Sequence, residues 1–256
     1  MADKKYTIQS VEKACDLLIA LGNSTEELGV SELSRMLNIG KSTVWKLLNT
    51  LENKGFIVKS GNSDKYSLSI KYFQVACQYY NQKPIHTVVR GFMEKLSRKY
   101  GETIHFAVKD GDEIVYVEKL DGTFNVNIYS KIGRRSPLYA PSVGKVILAN
   151  LEREQIMDFL NRVKLNAYTN KTIANKELLM AELDGIRKKG YAIDNEEYEL
   201  GIRCAGVPIK NIADKIIGGL SISGTTSRMT DELITEMIAD LTQASSDIAS
   251  HIGYIV

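Results

Sequence analysis

The residues of this chain best suited to recognition chemistry lie on one face of a predicted helix that spans about residues 41–54. Its apolar side chains recur at i, i+3, i+4 and i+7 and therefore face a protein core: Val44, Leu47, Leu48 and Leu51. The remaining face carries hydroxyl, amide, indole and ammonium groups, from Ser42, Thr43, Trp45, Lys46, Asn49 and Thr50. Hydroxyls and amides can hydrogen-bond base edges in the major groove of DNA, and a lysine can bind guanine or phosphate.

The elements around this helix favour DNA over solvent as its partner. The polar face of a lone helix is more often solvated than functional. Here a shorter helix from Ser31 precedes it, and Asn38-Ile39-Gly40 forms a turn in which Asn or Gly can adopt a positive φ. Two strands, 56–59 and 65–68, follow and are joined by a turn rich in Ser, Gly, Asn and Asp. This order predicts a winged helix-turn-helix domain over residues 1–69.

Four lysines of this domain are placed to bind DNA phosphates. Lys41 begins the polar helix and Lys46 lies on its outer face, whereas Lys59 and Lys65 flank the tip of the wing. Trp45 is the only tryptophan of the chain. Two roles are open for its indole ring, which can pack against DNA sugars and methyl groups or against the wing.

The first two helices carry further expectations about capping and packing. Ser10 is well suited to cap the first helix, because a serine hydroxyl can accept from a free N–H of the first turn. The helical spacing of apolar residues turns Val11 towards the core in the first helix and Met36 towards it in the second.

Composition permits two domains and argues against several kinds of site. The 256 residues, 44% hydrophobic and 25% charged, are those of an ordinary folded protein. No signal peptide or membrane span is recognisable, so a cytoplasmic location is expected. The three cysteines and three histidines are scattered, which argues against a disulfide framework, a metal site or a histidine-centred catalytic cluster. Residues 1–83 carry 11 Lys and Arg against 8 Asp and Glu, a positive excess that suits DNA, whereas residues 84–256 carry 22 against 23.

A linker helix is predicted over residues 70–83. Its aromatic side chains recur on helical faces and Pro84 follows it; they are Tyr72, Phe73, Tyr79 and Tyr80. These rings pack either against their own domain or across a homodimer contact. The dimer is favoured because operators are read by two-fold related pairs of helices.

The second part of the chain, residues 84–256, predicts an α+β domain with an antiparallel sheet. Its strand pairs alternate with helices but lack a regular βαβ rhythm. A strand is expected over residues 126–130 and a loop over residues 133–137. A short helix is expected over residues 143–151, with Ser142 as its cap.

Six segments together carry a resemblance that no single one of them could support. They are Leu33-Ser34-Arg35 through Lys41-Ser42-Thr43-Val44, Gly101-Glu102-Thr103-Ile104-His105, Ile132-Gly133-Arg134-Arg135-Ser136-Pro137-Leu138-Tyr139-Ala140, Gly144-Lys145, Gly190-Tyr191-Ala192-Ile193-Asp194 and Gly201-Ile202-Arg203-Cys204. In order and spacing they resemble the IclR family of bacterial transcriptional regulators over nearly the whole chain. The resemblance implies a winged helix-turn-helix, a linker helix and a GAF-like or profilin-like effector-binding domain, in dimers or tetramers without a cofactor.

The resemblance also implies an effector pocket that responds to small metabolites, often organic or sugar acids. Seven residues match the family's pocket positions: Ser142, Val143, Gly144, Asp194, Cys204, Ser221 and Ser223. Many members have Ala, Thr or Gly immediately before Gly-Lys. The run Pro141-Ser142-Val143 departs from that pattern and narrows the loop, which leaves the size of the effector open.

The physical chemistry of these positions agrees with a site for a carboxylate. A helix start presents unpaired N–H groups and the positive end of the helix dipole. Ser221 and Ser223 share one face of a strand and can donate to one ligand. Asp194 would repel a carboxylate, so it is assigned to a ligand hydroxyl or to orienting a neighbouring donor. Each residue also has a purely structural alternative: Ser142 as a helix cap, the serines as strand residues, Cys204 as a small buried hydrophobe.

Three functions from different classes follow. The leading hypothesis is a transcription regulator, a repressor in preference to an activator, whose affinity for operator DNA is controlled by a small effector. The rival is an enzyme with Cys204 as nucleophile, although no histidine has a sequence context that supplies the required base. The third is a thiol or metal redox sensor built on the same cysteine.

Overall fold

In the computed structural model, which describes residues 7–61, 63–81, 85–124 and 130–252, the chain separates into two units, Met1–Lys83 and Pro84–Val256. Within those described ranges, no helix has the length and apolar character needed to cross a lipid bilayer. Nor do three or more His, Cys, Asp or Glu side chains of the described residues come together as ligands for a metal ion.

The first unit is a three-helix core with a small antiparallel sheet. Its elements are α1 (Gln9–Asn23), β1 (Leu28–Gly29), α2 (Val30–Leu37), α3 (Lys41–Asn53), β2 (Ile57–Lys59), β3 (Lys65–Leu68) and α4 (Lys71–Asn81). The sheet order is β1-β3-β2. Leu17, Leu33, Val44 and Leu48 are fully buried and join the three helices. Asn38 ends α2 with a φ of 53°, so the helix-turn-helix and its wing are confirmed.

The expectations for the first two helices are wrong at three positions. Ser10 lies inside α1, and the residue before the helix is Ile8, whose carbonyl accepts from the N–H groups of Val11 and Glu12. Val11 is 56% exposed because residues 7–12 extend beyond the small core. Met36 is 59% exposed because Leu33 and Leu37, one turn apart, already fill the inner face of α2.

The second unit is built around a six-stranded antiparallel sheet. Its elements are α5 (Ile85–Tyr100), β4 (Thr103–Asp110), β5 (Glu113–Leu120), β6 (Arg135–Pro137), α6 (Ser142–Ala149), α7 (Arg153–Arg162), α8 (Lys176–Lys189), β7 (Ala192–Asn195), β8 (Ile202–Lys210), β9 (Ile216–Thr225) and α9 (Asp231–Ile252). The sheet order is β6-β5-β4-β9-β8-β7. Helices cover both faces: α5 and α9 share one buried cluster with Phe106 and Ile222, and α6, α7 and α8 share another with Ala107. The predicted α+β class is confirmed.

Two local expectations for this unit are wrong, and one lies largely outside the described residues. Residues 135–137 form the edge strand β6 rather than a loop, and Pro137 is tolerated there because an edge strand has unpaired positions. Ser142 is the first residue of α6 rather than its cap, which is Pro141. Residues 125–129 are not described, and Ser130 does not belong to a strand.

Two glycines allow the first turn of α6 to lie directly against β8 and β9. A Cβ atom on Gly219 would lie 2.8 Å from Val143 Cγ2 and 2.9 Å from the Val143 carbonyl oxygen. A Cβ atom on Gly206 would lie 3.1 Å from Ser142 Oγ. The first turn of α6 therefore packs on bare backbone, and a methyl group at Gly219 would displace it.

We expect Gly219→Ala to lower the free energy of unfolding of the second unit by about 1–3 kcal/mol, because the added methyl group overpacks the contact with α6. Gly185→Ala is the matched control. Gly185 lies within α8 and no atom would meet its Cβ within 4 Å, so alanine should stabilise the helix by about 0.5–1 kcal/mol. Urea unfolding followed by circular dichroism measures both changes. Equal effects of the two substitutions would contradict the proposed seating of α6.

Candidate functional site

The outer face of α3 carries the six side chains that the sequence assigns to it, Ser42, Thr43, Trp45, Lys46, Asn49 and Thr50, and Lys41 begins the helix. Lys41, Ser42, Trp45 and Lys46 are exposed, whereas Thr43 and Asn49 are half-buried. The face is therefore continuous, polar and cationic, and it lies opposite the buried Val44 and Leu48. Such a face has the width and chemistry to enter a major groove.

Trp45 lies beside the wing as well as on this outer face. Its side chain is 54% exposed, and it lines an open groove together with residues of α2 and of the wing. We call this the wing groove; its charged residues are Glu32, Arg35, Lys59, Asp64 and Lys65. The indole of Trp45 is thus half exposed on the outer face of α3 and also borders the wing residues of this groove.

Both wing lysines have carboxylate partners within the protein. Lys59 Nζ lies 2.7 Å from Asp64 Oδ1, and Lys65 Nζ lies 3.7 Å from Glu32 Oε1. The hydrogen bond between the first pair raises the pKa of Lys59 and lowers that of Asp64. In each of these surface ion pairs a DNA phosphate can take the place of the carboxylate, but the displaced carboxylate then remains near the phosphate. The strand pattern does not predict these partners, nor does it identify Arg35, an exposed cation of α2 in the same groove.

A small cavity lies between the first turn of α6 and the face of the large sheet that α6 covers. We call it the sheet cavity. It is lined by His105, Tyr116, Ser130, Ser136, Pro141, Ser142, Val143, Asp194, Tyr198, Glu199, Ile202, Cys204, Ser221 and Ser223. Its free volume of about 30 Å³ is room for a few water molecules. Six of the seven residues implied by the family resemblance therefore line a single cavity.

Gly144 is the residue of that set that does not line the sheet cavity. A Cβ atom at this position would lie 2.7 Å from the Leu138 carbonyl oxygen and 2.9 Å from that of Pro137. Its N–H donates to the Pro141 carbonyl oxygen at 2.9 Å. Because Gly144 has no side chain, the carbonyl groups of Pro137 and Leu138 lie directly against the first turn of α6. This close contact places Ser142 and Val143 at the cavity.

Strand pairing brings the polar residues of the cavity together from distant parts of the chain. Asp194 on β7 pairs with Cys204 on β8, and Cys204 pairs with Ser223 on β9. Ser221 pairs with His105 on β4. Paired residues of neighbouring antiparallel strands share a face of the sheet. The side chains of these paired residues therefore lie on the same face of the sheet, which is the face that lines the cavity.

Ser142 presents an unused hydroxyl to the cavity. Its side chain is only 1% exposed, and its Oγ has no hydrogen-bond partner in the described part of the chain. A buried polar group without a partner costs about 1–3 kcal/mol. The main-chain N–H groups of Ser142 and Val143, at the start of α6, also lack acceptors within the helix. This end of the cavity is therefore rich in unsatisfied donors.

Asp194 is a buried carboxyl group whose charge is poorly solvated. Burial raises its pKa to about 7, although the backbone N–H groups of Glu197 and Tyr198 and the charge of Lys145 oppose the shift. Asp194 Oδ1 accepts from Glu197 N at 2.7 Å. Near neutral pH the group exists both as a hydrogen-bond donor and as an acceptor.

His105 belongs to the sheet cavity, although the scattered positions of the histidines in the sequence give no indication that one of them lies near Cys204. Its Nε2 lies 2.6 Å from Ser130 Oγ, and its Nδ1 lies 3.4 Å from Ser223 Oγ. Burial and the nearby charge of Lys119 lower its pKa to about 3, so the ring is neutral at physiological pH. A usable signal was present in the sequence, because a histidine inside an otherwise apolar strand requires a polar partner.

Cys204 is buried, and its thiol is far from the state that a nucleophile requires. Burial raises its pKa well above the usual range, and Asp194 adds to the effect. The thiolate is therefore scarce at neutral pH. His105 shares the cavity but is neutral and hydrogen-bonded to two serines, so the arrangement does not resemble an activated cysteine and its base.

Comparison with known proteins assigns both units. Residues 10–61 match the model of the IclR helix-turn-helix domain, and residues 77–250 match that of the bacterial transcriptional regulator IclR C-terminal domain. The HTH-type transcriptional regulator KdgR of Escherichia coli is 39% identical over 97% of this chain and 94% of its own. The transcriptional repressor IclR of the same organism is 29% identical over 96% and 90%.

A solved structure agrees with these sequence relatives. The Thermotoga maritima IclR is 32% identical, covers 97% of this chain and 100% of its own, and superimposes with a TM-score of 0.80. The relatives are transcriptional regulators with a DNA-binding helix-turn-helix and an effector-binding C-terminal domain, so the enzymatic alternative is excluded. The chain belongs to the IclR family of bacterial transcriptional regulators.

Proposed function

We propose that this regulator is a repressor that binds operator DNA through the outer face of α3 and releases it when a hydroxylated carboxylate occupies the sheet cavity. The observation that carries the ligand class is the unpaired, buried Ser142 hydroxyl beside the free N–H groups at the start of α6. A relative named as a repressor, the E. coli IclR, supports the direction of regulation. A regulator must reach the DNA that it binds, and this requirement supports a cytoplasmic location.

The carboxylate of the ligand would lie at the start of α6. None of the described residues that line the cavity is Lys or Arg. The negative charge must therefore be stabilised by hydrogen bonds and by the positive end of the helix dipole. Ser142 Oγ, together with the N–H groups of Ser142 and Val143, supplies those donors, and the hydroxyls of Ser221 and Ser223 reach the same cavity.

The opposite wall favours a ligand that also carries hydroxyl groups. Asp194 and Glu199 supply carboxyl groups that can accept from a hydroxyl. Cys204 and Ile202 add apolar surface. Because the free volume is small, we propose that the wall opens on ligand binding. This proposed change would give the ligand a different affinity for two states of the protein, as control of DNA binding requires.

On the DNA side, Ser42, Thr43, Trp45 and Asn49 would contact bases, whereas Lys41 and Lys46 would contact phosphates. Lys59 and Lys65 would reach phosphates from the wing, but Asp64 and Glu32 offset part of their charge. We therefore propose that α3 supplies more of the salt-dependent affinity than the wing does.

A homodimer, or a tetramer built from dimers, is the assembly we propose. Tyr72 packs within its own unit, with its ring centroid 5.4 Å from that of Phe56. Phe73, by contrast, is 65% exposed and Ile70 is 71% exposed. The linker helix thus has an inner and an outer apolar side, and the outer side suits a second copy of the chain. The side chains of Tyr79 and Tyr80 lie outside the described part of the structure.

We expect Lys46→Ala to weaken binding to an operator duplex selected from a random-sequence library, and to flatten the slope of log affinity against log salt by about one. Lys59→Ala should change the slope less, because Asp64 already neutralises that lysine. Fluorescence anisotropy at several salt concentrations measures both slopes. A larger change for Lys59→Ala would show that the wing dominates phosphate binding.

Phe73→Arg should raise the dissociation constant of the dimer about tenfold or more, since an exposed aromatic anchor is replaced by a charge. Gln74→Arg is the control, because Gln74 is exposed on the same helix. Sedimentation velocity over a concentration series measures both variants. If Phe73→Arg remains as dimeric as the control, the linker helix does not form the contact.

Binding of a carboxylate in the sheet cavity should take up a proton. The added negative charge raises the pKa of Asp194 above its value of about 7 in the free protein, so the complex holds more protons than the separate partners. Affinity should therefore rise as the pH falls from about 8 to about 6 and then level off. Asp194→Asn removes the titrating group and should flatten this dependence.

Isothermal titration calorimetry in two buffers of different ionisation enthalpy measures the proton uptake. The probes are glycolate, glycerate, gluconate and galacturonate, with the corresponding uncharged alcohols as controls. If none of the acids binds while an uncharged alcohol does, the proposed ligand class is wrong. Equal proton uptake by the Asp194→Asn variant would assign the titration to another group.

A further inference from the structure

Lys145 is a fully buried cation that lies behind the sheet cavity rather than in it. It belongs to α6, and its side chain has no exposed surface. Its Nζ donates to Glu197 Oε1 at 2.5 Å, to the Ile193 carbonyl oxygen at 2.8 Å and to Glu182 Oε1 at 3.2 Å. A buried ammonium group is tolerated only with such partners. One side chain of α6 is thereby joined to β7, to α8 and to the segment that follows β7.

Glu197 connects this cation to the cavity. Its carboxylate accepts from Lys145, while its main-chain N–H donates to Asp194 Oδ1 at 2.7 Å. The residues that follow it, Tyr198 and Glu199, line the sheet cavity. Residues 195–201, which we call the wall segment, are thus joined to α6 by the ion pair between Lys145 and Glu197. Lys145 lies on the same helix as Ser142, so it ties both sides of the cavity together.

The other polar contacts of the wall segment among the described residues come from elements other than α6: Lys171 pairs with Glu196, the Ser136 hydroxyl donates to the Tyr198 hydroxyl, and the Thr226 N–H donates to the Gly201 carbonyl oxygen. Thr169 and Thr172 donate hydroxyl hydrogen bonds to the carbonyl oxygens of Glu196 and Glu197, at 2.7 and 2.6 Å. Those contacts hold the backbone from the side of residues 169–172. They do not link it to α6. Glu197 Oε2 is buried without a partner among the described residues, so the carboxylate depends on Lys145.

We propose that Lys145 is a positioning residue for the effector response, which fixes the wall segment so that Tyr198 and Glu199 face the ligand. The inference rests on the proposed function of the sheet cavity as the effector site. Since Lys145 does not touch the cavity, its loss leaves the ligand donors of α6 in place. The loss frees the opposite wall, and the pocket then no longer closes on its ligand.

The test uses the full-length chain with Lys145→Met, and with Lys145→Met combined with Glu197→Gln. The double variant removes both charges, so Glu197 leaves no buried carboxylate unpaired, and we expect this variant to fold even where the single variant does not. Lys188→Met is the matched control, because Lys188 is exposed near the end of α8. Circular dichroism and thermal unfolding identify the variants that are folded.

The first measurement needs no ligand. Hydrogen exchange at the amides of residues 194–201 should be about tenfold faster in both Lys145 variants than in the wild type or in Lys188→Met, because the wall segment opens more often. Exchange in α9 should be unchanged. If residues 194–201 exchange at the wild-type rate in the folded double variant, Lys145 does not hold the wall and the proposal is overturned.

The second measurement separates positioning from a general structural role. Affinity for the selected operator duplex should stay within about twofold of the wild type, while the effect of glycolate, glycerate, gluconate or galacturonate on that affinity falls about tenfold or more. Equal losses of operator affinity and acid response would overturn the proposal in favour of a merely structural role. If no acid affects the wild type, the proposed ligand class fails, whereas the exchange measurement still decides the role of Lys145.

Discussion

The contact between the first turn of α6 and the bare backbone of β8 and β9 is the constraint on which the second unit depends. Gly206 and Gly219 remove the side chains that would otherwise keep the helix away from the sheet. The close approach brings the start of α6 to the polar row that strand pairing creates across β4, β7, β8 and β9. A helix terminus rich in free donors then meets a carboxyl group, a thiol and a neutral imidazole in one enclosed space.

In our proposal, the cavity binds an anion although no Lys or Arg is among the described residues that line it. Lys145 lies behind the cavity and does not line it. Its ammonium group pairs with Glu197 of the wall segment. In our proposal, the ligand is selected by the number of hydrogen bonds it completes. An acid without hydroxyl groups would leave buried polar groups unpaired, at a cost of about 1–3 kcal/mol for each one.

The features that could be predicted from sequence are those with a repeating pattern. The apolar spacing of α3 predicts a helix that the structure confirms. β1 and β6 have only two and three residues, too few to show alternation. Sequence alone places Ser142 as the cap rather than the first residue of α6, because helix ends are uncertain by one or two residues. Within the first turn of α6, its hydroxyl has no hydrogen-bond partner among the described residues.

Features that depend on long-range pairing could not be predicted in the same way. His105 reaches the cavity through the register between β4 and β9, which are separated by more than one hundred residues in the chain. The partners of the wing lysines also come from outside the strand pattern, since Glu32 lies on α2 and Asp64 lies in the wing turn. The family resemblance supplied the cavity residues that periodicity alone does not identify, and six of the seven line one cavity.

The most direct test of the account is thermodynamic reciprocity between the two sites. The affinity of the protein for a binding acid should be measured by calorimetry, first with free protein and then with protein saturated by the selected operator duplex. We predict that operator DNA weakens acid binding by the same factor by which the acid weakens DNA binding, because both factors express one coupling free energy. The same acid affinity with and without operator DNA would contradict the claim that the sheet cavity controls DNA binding.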